Sequence, residues 1–428
     1  ETPFTTDHSA VSGTAPYATP TEVGDALINA GFNVITSATA LIDDNGSSMI
    51  NETLNYWETS HPDVTLVGIH KNQSGIDAPK IVEINGIKIA FLNYTFPSYG
   101  SQTVSSGDST DNSDGSANDS ASSDTSDSST GDADSSGSTD TSTSGKGSMI
   151  DTFSTADVAA AIKQAKASAD CVIFSANWGK TEEPMPTEYE KEWATFLMQQ
   201  GVDVVIGGHP HILQPYGRMS DKEGHSMLIF YSLGNFVSTQ ESFDALLEGM
   251  GCFTIQKTVQ DGKTSIEIKD AEVKPMVMHY NKEAGVFSPY MLSDYTEELA
   301  AQHELRTVLG DDSFTLANLQ ARFKEIMSLN VKPSTNTDLL DVTFNSDGDM
   351  VDSNGEYVDD IWSVSASDAQ SENSDGSSDD SSDSSDESDY SDDSDYSDDN
   401  SDYDDSADYY DDSDYYDDSD YYDDSSEE

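Results

Sequence analysis

The chain has 428 residues, of which 82 are acidic and 19 are basic, so its formal net charge is −63. This charge argues against a nucleic-acid partner, because phosphate recognition needs a clustered basic surface. No stretch reaches the ~18 consecutive apolar residues of a membrane-spanning helix. No signal peptide is visible and Glu1 is not an initiator methionine, so we expect a processed or truncated chain without a membrane span.

Two acidic tracts of low complexity carry most of this charge. Residues 102–148 are almost wholly Ser, Asp, Thr and Gly, and residues 367–428 repeat Ser, Asp and Tyr. Both tracts contain too few apolar residues to offset the entropy lost on ordering. We therefore expect a disordered insertion at 101–148 and a disordered acidic tail at 367–428. Such tracts are typical of secreted or surface proteins.

The residues before the insertion predict alternating helices and strands. Thr19 as N-cap, Pro20 at the first helical position and Glu22 predict a helix that continues to Gly31. The Asn85-Gly86 pair between two alternating runs predicts a β-hairpin. The remaining predicted elements are strands at 32–38 and 64–68 and a helix at 48–59.

The residues after the insertion continue this alternation. Capping signals at Ser154 and Thr187 predict helices that reach Ala169 and Gly201. Strands alternating with helices indicate an α/β fold with a parallel or mixed sheet covered by helices. The predicted strands are 171–176, 202–208 and 227–233.

Beyond Gly251 the pattern changes to alternating strands around an Asp261-Gly262 turn, which predicts an antiparallel second sheet packed on the first. Helices are predicted at 293–309 and 316–327, and residues 331–366 remain ambiguous. Cys171 and Cys252 lie in apolar runs and are interpreted as small buried hydrophobes; they pair only if the fold brings them together.

Four loops are candidates for a functional site, because binding groups in open α/β sheets collect at the carboxyl ends of strands. These loops are 38–46, 177–181, 207–211 and 234–236. In the third, Pro210 favours an extended His209, and side chains two residues apart in an extended segment face the same side. His209 and His211 could thus bind one metal ion, or only hydrogen-bond to the backbone.

The other loops offer weaker candidates. Asp44 provides a carboxylate, although Asp43, Asp44, Asn45 and Gly46 also form a plausible turn. Asn235 either orients a ligand or satisfies the turn around it. We interpret Trp178 as a packing wall. Four histidines lack a paired partner in the sequence and are expected to be surface or capping residues: His70, His225, His279 and His303.

Four segments, in this order, carry a family resemblance: "GFNVITSATALIDDNG", "NGIKIAFLNYT", "NWGKTEEPMPTEYEKEWATFLMQQGVDVVIGGHPHILQP" and "LIFYSLGNFVSTQ". Together they resemble the CapA family of poly-γ-glutamate capsule biosynthesis proteins, which have a calcineurin-like metallophosphoesterase fold. The resemblance extends to about Tyr295. It implies a four-layer αββα sandwich formed by residues 1–100 and 149–330, with a metal centre at one end of the sheets.

The resemblance also assigns site residues. His209, His211, Asp44 and Asn235 match family positions, with Gly208 and Trp178 beside them. Where the family has Asn-Asn-His or Thr-Asn-His, this chain has Thr39-Ala40-Leu41. Where the family has His-Trp-Gly-x-Glu, this chain has Asn177-Trp178-Gly179-Lys180-Thr181. The family's early Gly-Asp segment has no counterpart.

These departures predict a degenerate metal centre. Leucine cannot ligate a metal, and an amide is a weaker ligand than imidazole. We expect His209, His211, Asp44 and Asn177 to bind a divalent ion such as Mn, Fe or Zn only weakly, in an extracellular or cell-surface bacterial protein. The expected partners are an anionic capsule polymer or its biosynthetic machinery, but a chain of this charge should repel such a polymer unless cations or a local basic face intervene.

Two alternatives remain open. The chain could be an active metal-dependent phosphoesterase that holds one ion at the same four residues. It could also be a non-enzymatic surface module whose acidic tracts bind calcium weakly.

Overall fold

The computed structural model describes residues 3–13, 16–42, 45–71, 78–96 and 149–344, together with residues 350–352, 354–355 and 358. The chain divides into a unit of Glu1–Asn373 and a second unit, Ser374–Glu428, in which no residue is described. The insertion and tail expected to be disordered lie outside the described residues. None of the described helices has the length and apolar character needed to cross a membrane.

The N-terminal part combines two small parallel sheets with two helices. Its elements are β1 (Phe4–Thr5), β2 (Thr19–Pro20), α1 (Thr21–Asn29), β3 (Val34–Thr36), α2 (Gly46–Ser60) and β4 (Thr65–Val67). Strand β1 pairs with β2, and β3 pairs with β4. The predicted N-cap at Thr19 is wrong: Pro20 precedes α1 as its N-cap, because Thr19 and Pro20 form β2 against β1.

The central sheet has six strands. Its strands and the helices between them are β5 (Lys80–Ile84), β6 (Ile87–Thr95), α3 (Thr155–Ser168), β7 (Cys171–Asn177), α4 (Glu188–Gln200), β8 (Val204–Gly208), β9 (Tyr216–Ser220) and β10 (Ser226–Phe230). The order is β5-β6-β7-β8-β10-β9. The four inner strands are parallel and the two edge strands are antiparallel to their neighbours. The Asn85-Gly86 hairpin is confirmed.

The second sheet is antiparallel and precedes the C-terminal helices. Its strands are β11 (Leu247–Gln260), β12 (Lys263–Asn281) and β13 (Val286–Met291), followed by α5 (Glu297–Gln302), α6 (Glu304–Thr307) and α7 (Leu316–Ser328). The Asp261-Gly262 turn joins β11 to β12, as expected. The single helix predicted at 293–309 is wrong, because the extended conformation of His303 separates α5 from α6.

Three hydrophobic clusters define four layers. Helices α3 and α4 cover one face of the six-stranded sheet, with Val158, Trp193 and Leu197 against strand residues such as Phe174. The other face packs on the three-stranded sheet through a cluster that includes Phe230 and Ile268. The C-terminal half of β12 packs on α5, α6 and α7. The α/β class and the αββα layer order expected from the family resemblance are therefore confirmed.

The described part of the ambiguous extension packs on the outer helical layer. Leu340 and Val342 are buried in the cluster that contains α3 and α4. Asp341 accepts hydrogen bonds from the backbone N–H and the hydroxyl of Thr155, at 2.8 and 2.7 Å. We call residues 331–342 the C-terminal strap. The folded unit thus extends beyond residue 330.

The two cysteines are free and differ in exposure. Cys171 begins β7 and is buried, whereas Cys252 on β11 is only half-buried. The expectation of a buried residue is confirmed for Cys171 and wrong for Cys252, because Cys252 lies on the part of β11 where exposed and half-buried residues alternate.

Candidate functional site

The candidate site lies where three parallel strands of the central sheet end. Thr95 on β6 pairs with Asn177 on β7, and Asn177 pairs with Gly208 on β8. A Cβ atom on Gly207 would lie 1.9 Å from the carbonyl oxygen of Tyr231, so only glycine fits there. Gly208 has open space at the corresponding position. The sheet thus brings the 177–181 and 207–211 loops together, as predicted.

The two histidines of "GGHPHILQP" converge without an extended backbone. His209 and His211 both have positive φ, at +97° and +62°, so the predicted extended conformation is wrong. Two backbone hydrogen bonds from the neighbouring loop hold this turn: Trp178 N–H to Gly208 O at 3.0 Å and Glu182 N–H to Pro210 O at 2.8 Å. The ring centroids of His209 and His211 lie 5.7 Å apart. The two imidazoles therefore lie close together at the strand ends.

Asn235 orients the second of these imidazoles. Its Oδ1 lies 2.9 Å from Nδ1 of His211, and its Nδ2 donates to the carbonyl oxygens of His211 and Ala245 and to Oε1 of Gln240. Because the amide oxygen only accepts, Nδ1 of a neutral His211 carries the proton and the ring's lone pair is on Nε2. A histidine that ligates a metal is commonly oriented in this way. Asn235 thus both orients a side chain and satisfies its own turn.

Asn177 is engaged in structural hydrogen bonds. It is 6% exposed, and its Oδ1 accepts hydrogen bonds from the backbone N–H of Ala40 at 3.0 Å and from Thr95 Oγ1 at 2.9 Å. A carbonyl-type oxygen has two lone pairs, and these two donors account for both. Asn177 therefore ties the loop after β3 to the ends of β6 and β7, and its oxygen is poorly placed to ligate a metal.

Asn93 makes a second buried tie that the sequence analysis missed. It is 2% exposed, its Oδ1 accepts from the Ala38 N–H at 2.6 Å, and its Nδ2 donates to the carbonyl oxygens of Ala38 and Ser175. An asparagine inside the apolar run "IAFLNYT" is the signal that could have identified it, because a buried amide needs hydrogen-bond partners. Asn93 and Asn177 together fix the 38–42 loop against the central sheet.

Trp178 belongs to the core behind the site. It is fully buried, donates from Nε1 to Tyr231 O at 3.0 Å and stacks on Phe153 with ring centroids 6.3 Å apart. Its interpretation as a packing wall is confirmed. Phe96 instead contacts the site directly, with its ring edge-on to His209 at a centroid distance of 4.9 Å.

A buried carboxyl group lies beneath the 177–181 loop. Glu190 is fully buried, and its Oε2 accepts from the backbone N–H and hydroxyl of Thr187 in the predicted capping box of α4. Desolvation raises the pKa of Glu190 to about 8. A Cβ on Gly179 would lie 2.6 Å from this carboxyl group, so Glu190 supports the loop at a position that needs glycine.

The four histidines without sequence partners have different environments. His279 and His303 are 4% and 0% exposed, so a surface position is wrong for both. His303 is nevertheless a capping residue, because it accepts the Leu305 N–H at the start of α6. His225 contacts the Val202 carbonyl oxygen at 2.7 Å, and Nε2 of His70 lies 2.9 Å from Asp151 Oδ1.

The described donors do not make up a complete metal-ligand set. Asp44 lies outside the described residues. In the described part of the chain, no three His, Cys, Asp or Glu side chains converge closely enough to hold an ion. Transition-metal sites usually use three or four protein ligands, and Leu41 and Asn177 cannot supply imidazole. Among the described residues at these strand ends, His209 and His211 supply imidazoles and positions 41 and 177 do not.

Comparisons with solved structures give only weak similarities. The NAD nucleotidase NadN of Haemophilus influenzae aligns with a TM-score of 0.30 at 13% identity, over 70% of this chain and 46% of that chain. A hypothetical protein from Thermus thermophilus aligns with a TM-score of 0.29 at 11% identity, over 63% of this chain and 79% of that chain.

Sequence comparisons identify clearer relatives. The PGA biosynthesis protein CapA of Bacillus subtilis (strain 168) is 35% identical over 79 residues, which are 18% of this chain and 20% of that protein. The capsule biosynthesis protein CapA of Bacillus anthracis is 25% identical over 219 residues, which are 51% of this chain and 43% of that protein. The aligned parts cover less than half of either relative.

The family comparison covers the N-terminal part of the folded unit, including the strand ends and both histidines. The model of the bacterial capsule synthesis protein PGA_cap matches residues 1–240, which is more than half of the chain. The chain therefore belongs to the bacterial capsule synthesis protein family PGA_cap.

Proposed function

We propose that this chain is a cell-envelope protein that handles or anchors an anionic capsule polymer similar to poly-γ-glutamate, and that its strand-end site has lost metal-dependent catalysis. The family match and the capsule biosynthesis names of the two Bacillus relatives support the capsule role. The hydrogen bonds of Asn177 support the loss of catalysis. Both lone pairs of its amide oxygen accept hydrogen bonds from the protein, so this oxygen does not serve as a metal ligand.

Electrostatics limits how such a polymer would bind. The net charge of −63 repels a polyanion over a distance set by the salt concentration. We propose that divalent cations bridge carboxylates of the polymer to carboxylates of the chain. Oxygen-rich, flexible sites of this kind suit Ca²⁺ better than Mg²⁺, which keeps more of its water.

Sedimentation of the full chain with poly-γ-glutamate tests the polymer role. We expect co-sedimentation with about 2–5 mM Ca²⁺ and its loss in EDTA, because unbridged polyanions repel each other. Hyaluronate of similar length is the control, since it has carboxylates but no peptide backbone. Equal binding of both polymers would show that the chain binds polyanions through bridging cations without recognising poly-γ-glutamate. If poly-γ-glutamate does not bind with or without Ca²⁺, the proposed role is contradicted.

An active hydrolase is the second candidate, favoured by the convergence of His209 and His211 and by the orientation of His211 by Asn235. Two measurements distinguish the hydrolase from a protein without catalysis: the metal content of the purified chain, and its turnover of bis(p-nitrophenyl) phosphate with added Mn²⁺. We expect substoichiometric metal and turnover close to the metal-only background. Stoichiometric metal with robust turnover that His209→Ala abolishes would establish the hydrolase.

A Leu41→His variant provides a matched test of the degenerate site. Leu41 is half-buried in the loop that Asn177 holds, and substitution at position 41 leaves the side chain of Asn177 unchanged. We expect tighter Mn²⁺ binding in Leu41→His than in the unmodified chain, because a third imidazole becomes available. Unchanged metal affinity would show that position 41 does not face the two histidines.

A further inference from the structure

A pocket of about 490 Å³ lies apart from the strand-end site, between α2, β4 and the beginning of β5. Apolar side chains form part of its walls: Leu54 and Trp57 from α2, Leu66 from β4, Ile69 after β4 and Ile81 from β5. Small-molecule sites typically have volumes of roughly 300–1,000 Å³ with apolar walls and a few polar groups. The volume of this pocket falls within that range.

The rim of the same pocket carries cationic and titratable groups. Lys71 and Lys80 line it together with His61, His70 and a carboxylate, Glu58. Among the described lining residues these are two ammonium groups and one carboxylate, and the carboxylates of Asp25 and Asp151 lie behind the two imidazoles. Two ammonium groups at one pocket are notable in a chain whose net charge is −63, because most of the protein surface repels anions.

The rim groups differ in how strongly they are already paired. Lys71 forms an exposed ion pair with Glu58. Lys80 is exposed and forms no ion pair with any described residue. An exposed ion pair contributes little stability, so an incoming anion can displace Glu58 from Lys71 and can bind Lys80 directly.

The two imidazoles are held in place by carboxylates behind them. Nε2 of His61 lies 2.7 Å from Asp25 Oδ1, and Nε2 of His70 lies 2.9 Å from Asp151 Oδ1. Tyr56 also donates its hydroxyl to Asp25 at 2.9 Å. These contacts orient both rings at the rim. In the described part of the chain these residues do not form a metal-ligand cluster.

We infer that this pocket binds a small amphipathic anion, with an aromatic or aliphatic body against Trp57 and Leu66 and a carboxylate, sulfonate or phosphate group at Lys80. The apolar walls stabilise the body by removing it from water. Lys80 supplies the charge contact. This site is independent of the proposed capsule role and of His209 and His211.

Two fluorescent probes with the same body test the charge contact. 8-Anilinonaphthalene-1-sulfonate carries a sulfonate, and N-phenyl-1-naphthylamine lacks it. In the full chain, we expect Lys80→Gln to weaken sulfonate binding about three- to fivefold, as for one exposed ion pair, and to leave the neutral probe unchanged. Lys163→Gln, an exposed lysine on α3, is the control.

Ile81→Trp tests the position of the body. Ile81 is 39% exposed on the edge strand β5, so a larger side chain can enter the pocket without disrupting the core. We expect this variant to weaken both probes at least tenfold. Unchanged affinities in Ile81→Trp would show that the probes bind elsewhere, and an equal effect of Lys80→Gln and Lys163→Gln on the sulfonate would contradict the charge contact; either result overturns the inference.

Discussion

Glu248 illustrates how a single buried side chain can set the pH dependence of stability. It is 1% exposed near the start of β11, and neither carboxyl oxygen has a hydrogen-bond partner among the described residues. Desolvation raises the pKa of Glu248 to about 9. Because the unfolded carboxyl group titrates near its ordinary pKa, its contribution to stability is complete at acidic pH and is lost as the pH rises towards 9.

The variant Glu248→Gln should therefore be more stable than the unmodified chain at pH 8. We expect a gain of roughly 1–3 kcal/mol at pH 8 and little difference at pH 4.5, because glutamine does not titrate. Thermal melting at both pH values measures this. A gain of the same size at both pH values would show that folding does not raise the pKa of Glu248.

Asn177 should contribute to stability through its two accepted hydrogen bonds. Asn177→Ala leaves the Ala40 N–H and the Thr95 hydroxyl without this acceptor, and we expect a loss of about 1–3 kcal/mol. Asn51→Ala on the exposed face of α2 is the control, since the side chain of Asn51 bonds, among the described residues, only to Ser47 one turn earlier. Urea unfolding measures the free energy of unfolding of both variants and of the unmodified chain. Equal effects would indicate that the ties at Asn177 are weak.

At the scale of elements, His303 connects a helix start to a buried aromatic cluster. Its Nδ1 accepts the Leu305 N–H at 3.0 Å and its Nε2 donates to Met278 O at 3.2 Å. Its ring lies 4.6 Å from that of Tyr280 and 5.3 Å from that of His279. Desolvation and the neighbouring His279 lower the pKa of His303 to about 4.

Protonation of His303 would remove the acceptor that caps α6. The unfolded histidine binds a proton near its ordinary pKa and the folded one only near pH 4, so stability falls as the pH decreases through this interval. We expect His303→Asn, which retains a capping acceptor, to lose less stability than the unmodified chain between pH 7.5 and 4.5. An equal decrease in melting temperature for His303→Asn and for the unmodified chain between these two pH values would contradict this. His8→Asn, at an exposed histidine, is the control.

At the scale of the whole molecule, the C-terminal strap closes the outer helical layer. Leu340 and Val342 are buried against α3 and α4, the Leu339 N–H donates to Glu192 at 2.8 Å, and the hydroxyl of Thr195 donates to Ser334 O at 2.9 Å. Burial of two such apolar side chains contributes about 3–6 kcal/mol. The strap is thus part of the folded unit.

Truncation at two points tests the strap. A chain ending at residue 330 should melt roughly 5–15 °C lower than a chain ending at residue 352, because only the shorter chain lacks Leu340 and Val342. Calorimetry of both truncated chains and the full chain gives the comparison. Equal melting temperatures for the two truncated chains would show that the strap does not stabilise the fold.

Local signals in the sequence were sufficient for most elements. The Asn85-Gly86 and Asp261-Gly262 turns and the capping box at Thr187 and Glu190 are all present, because each depends on residues close together in the chain. Strand β9 was missed, since "YGRMS" at the sheet edge lacks a clear apolar alternation. The break at His303 was missed because a capping histidine is rarer than Ser, Thr or Asp.

The sequence by itself determined the α/β class, the acidic character, the family resemblance and the approximate location of the strand-end loops, all of which follow from composition, periodicity and motif order. Only the tertiary structure decided the backbone of His209 and His211, the use of Asn177 and Asn93 as buried ties, and the burial of Glu248 and His303. These features depend on contacts between residues far apart in the chain. Hydrogen-bond partners and desolvation are properties of such contacts, and no local pattern specifies them.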